Sequence, residues 1–124
     1  MRLVIVLTIS FLLTSCSIIY SGVVKNNYAQ QVSVSSIKGV RGNTNIGPNE
    51  NTEVPIFETE SGTCISVSSN GETKFYHVPS PPKWSKISGI WDVKFGLSVS
   101  PQGAFYVGQN GKTQQLNEVA NCDT

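Results

Sequence analysis

From Trp91 to Val99 every second residue is large and apolar: Trp91, Val93, Phe95, Leu97 and Val99. Successive strand side chains point to opposite faces, so five apolar residues in phase demand an extended segment with one face in a core. We read residues 90–99 as a central strand. The same period recurs in weaker form. Val32, Val34 and Ser36 oppose Ser33 and Ser35. Val54, Ile56 and Glu58 oppose Glu53, Pro55 and Phe57. Pro55 has no N–H to give to a ladder, so the strand 52–58 belongs at a sheet edge. Asn70-Gly71 separates Thr63–Ser68 from Thr73–Val78, and this dipeptide readily supplies the positive-φ pair of a tight hairpin. Ile65 and Val67 then face away from Cys64, Ser66 and Ser68, and Tyr76 and Val78 away from Phe75 and His77. Pro101-Gln102-Gly103 and Gln109-Asn110-Gly111 mark further turns around 104–107 and 112–116. Residues 39–51 read as loop, Pro79-Ser80-Pro81-Pro82 as a stiff stop, and 83–89 as a turn or two of helix at most. Six to eight short strands without a long amphipathic helix give an all-β fold, a small antiparallel β-sandwich or barrel.

The amino terminus follows other rules. Arg2 precedes Leu3–Leu13, apolar but for Thr8 and Ser10. Eleven helical residues reach ~16 Å, short of the ~30 Å hydrocarbon core, so the pattern fits a signal peptide better than a spanning helix. Leu13-Thr14-Ser15-Cys16 ends the run. This stretch, residues 1–16, resembles the lipobox of bacterial lipoproteins. The resemblance implies a diacylglyceryl group on the Cys16 sulfur and cleavage between Ser15 and Cys16. The usual acylation of the new amino terminus would add a palmitate-like chain. Ser17 in place of Asp leans toward the outer membrane, with the body facing the periplasm. Two or three acyl chains anchor stably where one does not. The expected organisation is a signal peptide at 1–15, a lipidated tether at 16–30 that becomes structured, and a β domain at 31–124.

With Cys16 assigned to lipid, Cys64 and Cys122 remain. An even pair in an exported protein is expected as a disulfide, with two free thiols or a metal pair as the alternatives. The chain has one His and no Cys-x-x-Cys, so metal-ligand spacing is absent and no cofactor is indicated. Removing 15 of 124 residues leaves 109, enough for one modest core. The same removal takes away Arg2 and leaves eight basic and eight acidic residues, which gives no electrostatic footprint for nucleic acid.

Catalytic patterns are equally thin. His77 is the single candidate general base, on a strand and without an identified partner. Glu58 and Glu60 are two acids at a strand end and little more. No Gly-x-Ser-x-Gly elbow occurs, and Gly39-Val40-Arg41-Gly42 lacks the spacing and Lys of a phosphate loop. A non-enzymatic role is expected.

Aromatic residues concentrate in 84–106 (Trp84, Trp91, Phe95, Phe105, Tyr106), interleaved with Lys83, Lys86 and Lys94. Aromatic and cationic side chains together suit a protein or glycan contact. Trp91 and Phe95 are expected in the core, and Trp84, Lys86 and Ser88 are the candidate partner-binding residues. The expected function is an envelope lipoprotein that binds another envelope protein, as an assembly component or exclusion factor. A second expectation comes from resemblance. Size, anchor, Phe105-Tyr106-Val107-Gly108 and the last Cys are similar to small periplasmic lipoproteins that inhibit C-type lysozyme. Lys86-Ile87-Ser88-Gly89-Ile90-Trp91 departs from that family's Ser-Ala-Ser-Gly loop.

Overall fold

A computed structural model describes residues 19–36, 43–57, 63–88 and 92–122. The signal segment, Cys16, residues 39–42, Glu58, Glu60, Gly89 and Trp91 lie outside the described residues. The strands in chain order are β1 (Ile19–Asn26), β2 (Val32–Ser36), β3 (Asn43–Ile46), β4 (Asn51–Phe57), β5 (Thr63–Ser69) and β6 (Glu72–Val78). A 3-10 turn, η1 (Lys83–Ser85), leads into β7 (Lys86–Ser88), β8 (Asp92–Ser100), β9 (Gly103–Val107), β10 (Thr113–Gln115) and β11 (Asn117–Val119). Among the described residues eleven strands exceed the six to eight expected because β3, β7 and β11 are only three or four residues long, whereas β10 falls in the return expected at 112–116. Such pieces leave little periodicity to read.

The strands form two open sheets packed face to face, so the fold is a sandwich and not a barrel. One has the order β10-β9-β8-β1-β4, with β7 also on β8; the other is β11-β6-β5-β2-β3. β8 is central, as its alternation requires: Val93, Phe95, Leu97 and Val99 are all buried. One flank of β8 pairs with β1. The other is shared by β7, opposite Lys94 and Phe95, and β9, opposite Gly96–Ser100. At the handover a Cβ on Gly96 would run into the Val107 carbonyl oxygen, so glycine permits the close approach of β9. β4 is an edge strand, and Pro55 sits in it without costing a ladder bond on its free side.

β1 falls where the 16–30 stretch is expected to become structured. It lies between β4 and β8, antiparallel to the first and parallel to the second. Tyr20 and Val24 fill the core while the backbone saturates its bonds on both sides. Within the described residues, β1 (Ile19–Asn26) lies inside the 16–30 stretch and belongs to the folded body.

The core comes from the inward rows of both sheets. Val32 and Val34 of β2, Ile65 and Val67 of β5, and Tyr76 and Val78 of β6 face Val24, Ile56, Phe95, Leu97 and Tyr106. Each such side chain stabilises the fold by about 1.5–3 kcal/mol before entropy is charged. Phe95 and Tyr106 meet edge to face at 5.6 Å between ring centroids. Ser36 Oγ donates to the Ile56 carbonyl across the sheets at 2.5 Å. Asn26, fully buried, gives its amide to the Gln30 and Ile46 carbonyls at 2.8 and 3.0 Å. Its Oδ1 accepts the Tyr28 N–H at 2.8 Å. Asn26 is thus a brace that joins β1 to β3.

The β5–β6 hairpin closes through Asn70 (φ 55°) and Gly71 (φ 81°), the positive pair expected of Asn-Gly. The Cys64–Cys122 disulfide is formed, with Cα atoms 5.6 Å apart. Cys64 sits on the face of β5 opposite Ile65 and Val67, as the alternation requires. The bridge carries the tail over β6 from β11, the sheet edge, to β5.

Candidate partner-binding surface

The corner that holds the predicted contact residues is built from a rigid entry. Tyr106 Oη donates to the Pro79 carbonyl and ties the proline segment to β9. Pro82 is extended at ψ 151°, and the chain then turns once. Ser85, buried, donates to the Pro82 carbonyl through both its N–H (3.0 Å) and its hydroxyl (2.6 Å). The turn delivers Lys86–Ser88 to β8 as β7.

Trp84 is half-buried against the core. Its ring lies where a Cβ on Gly108 would otherwise stand, and Lys112 Nζ sits 5.6 Å from the ring centroid. That cation–π contact is worth about 0.5–1 kcal/mol at a partly exposed site. Trp84 therefore fastens η1 to the β9–β10 loop. Lys86 is exposed and, with Lys83, borders an open cleft shared with Tyr20, Ser80 and Pro81. Ser88 is in β7; its backbone pairs opposite Lys94. Trp84 and Lys86 share a segment but not their surroundings: Trp84 turns to the 108–112 loop and Lys86 to the cleft. The structure adds Lys112 and Ile87, the latter 40 % exposed. Lys112 is distant in sequence from η1, and the adjoining Asn110-Gly111 turn was the only local hint that it sits at a hairpin end.

A second surface is the outer face of the β8 sheet. Gly96 lies between Val23 and Val107, and Ser98 beside Phe105. Val23, Phe105 and Val107 are half-buried, and the small Ser21, Gly96 and Ser98 between them are buried. Lys94 and Glu53 form an ion pair across it at 3.3 Å, an exposed pair of small energetic weight.

The remaining candidates are dispersed. Phe95 and Tyr106 are core. His77 is exposed on β6, opposite Cys64 and Asn117. Among the described residues no group of three or more His, Cys, Asp or Glu is placed to hold a metal, and no helix is long and apolar enough to cross a membrane. Burial pushes the Tyr76 hydroxyl up to about 12 and raises Tyr106 further. Both are core phenols and not poised acids or bases. The chain matches no protein-family model, no curated protein and no solved structure.

Proposed function

We propose that the protein is a lipid-anchored lipoprotein of the bacterial cell envelope, at the outer membrane and facing the periplasm, whose β-sandwich is a non-enzymatic protein-binding or assembly module. The anchor rests on Leu13-Thr14-Ser15-Cys16 after an apolar run too short to span. The observation that carries the binding role is the outer face on which the apolar Val23, Phe105 and Val107 remain partly exposed around small residues. Small residues between larger apolar ones suit contact with another protein better than capture of a small ligand, which needs a concave site.

The test is a crosslinking pull-down of the tagged, lipidated protein from envelopes, beside Cys16→Ala and Phe105→Glu variants. A specific envelope protein captured by the parent and lost in both variants supports the reading. Capture that survives Phe105→Glu moves the contact off this face. Recovery of an added lysozyme-type hydrolase, independent of Cys16, replaces the reading with that of an inhibitor.

A further inference from the structure

We infer that the corner formed by η1, β7 and the β9–β10 loop rests on an anionic phospholipid surface, with Lys83, Lys86 and Lys112 on headgroup phosphates and Ile87 directed at the acyl boundary. This rests on the lipid-anchor reading and goes beyond it by orienting the body.

The first argument is reach. Only Ser17 and Ile18 separate Cys16 from β1. Three residue steps extend at most ~10 Å, so a lipid on Cys16 holds the start of β1 within that distance of the headgroups. Ile19 pairs with Asp92, the first residue of β8, and β7 lies on β8 at Lys94 and Phe95. Tyr20, next in β1, lines the same cleft as Lys83 and Lys86. The corner is therefore at the anchored end.

The second argument is charge and polarity. Residues 79–88 and 108–112 carry three lysines, all exposed, and no Asp or Glu; the nearest following acid is Asp92. This is a local excess in a chain of formal charge +1. Ile87 is the exposed large hydrophobic side chain among the described residues, and it lies beside Lys86. Lysine stems over apolar surface with ammonium groups at the phosphates are the ordinary arrangement at a membrane interface. The opposite end, at Lys25, Glu50, Glu72 and Lys74, mixes both signs.

The test uses the full-length lipidated protein in vesicles of phosphatidylglycerol with phosphatidylethanolamine, and in vesicles of phosphatidylcholine alone. A membrane-impermeant amine-acylating reagent is read out lysine by lysine by mass spectrometry. Lys83, Lys86 and Lys112 are expected to react about fivefold more slowly on the anionic vesicles, the factor one lysine gains near such a surface, while Lys25 and Lys74 keep one rate. In Lys83→Gln/Lys86→Gln, Lys112 is expected to recover its rate on phosphatidylcholine. Equal rates on both vesicles, or protection of Lys25 and Lys74 instead, overturn the inference. The intact mass of the Cys16 peptide separates the two failures. A Cys16 without lipid removes the anchor and the orientation together; a lipidated Cys16 with unprotected corner lysines removes the orientation alone.

Discussion

At the scale of single residues, two core tyrosines should behave oppositely. Tyr106 Oη has a partner, the Pro79 carbonyl; the buried Tyr76 hydroxyl has none among the described residues. A buried polar group that makes no bond costs about 1–3 kcal/mol, whereas an ordinary bond contributes about 1 kcal/mol net. Tyr106→Phe should therefore lower the unfolding free energy by about 1 kcal/mol. Tyr76→Phe should leave it unchanged or raise it by a similar amount. Urea titration in detergent solution checks both, and a loss in Tyr76→Phe as large as in Tyr106→Phe would contradict the assignment. The same burial sets an alkaline limit. Desolvation raises Tyr76 to about 12, and raises Tyr106 and Tyr28 as well. Above the unfolded tyrosine value of about 10, the unfolded chain loses these protons while the folded chain keeps them, so stability falls as pH rises. It should be level in this respect below pH ~10 and decline above it. A less steep decline is expected in Tyr76→Phe, read from urea midpoints across that range.

At the scale of elements, the tail depends on its staple. All three residues of β11 have little burial, and none is a core side chain. Cys122 is buried where it crosses β6 to Cys64. The sequence separation of 58 gives about 4 kcal/mol in the chain-entropy model. Cys64→Ser with Cys122→Ser should approach that loss in urea, and hydrogen exchange should rise first in β11, before β5 or β6. Uniform exchange would mean that β11 is held by its pairing with β6 instead. The elements legible from sequence are those whose signal is local. Val32, Val34 and Ser36 alternate, Asn70-Gly71 carries its own turn geometry, and Pro55 declares an edge. β1 was obscure because Ser21-Gly22-Val23-Val24 shows no clean period, and its centrality comes from β8 far along the chain. β3, which lies inside the 39–51 stretch read as loop, is polar and short, so only its neighbour β2 defines it. Trp84 and Lys112 belong together through the β9–β10 turn, a relation that linear spacing does not carry.

At the scale of the molecule, the decisive relation is between the anchor proposed at Cys16 and β1. A parallel pairing of β1 with β8 makes the first described strand wait for the eighth, which is a slow, non-local closure. On the proposed reading, a lipid on Cys16, three residues before that strand, would fix the body rather than leash it. This makes the spacing testable on its own. A 20-residue Gly-Ser insert between Ser17 and Ile18 has an r.m.s. span of about 25 Å. That exceeds the ~8 Å screening length at physiological ionic strength, so the lysine corner would leave the headgroup field. Because the insert lies before Ile19, the thermal midpoint should stay where it is. Capture of an envelope partner should fall if that partner meets the body at a fixed height and angle above the membrane. Unchanged capture with unchanged stability would mean that the outer face of the β8 sheet works in any pose, and that the short connection serves retention alone.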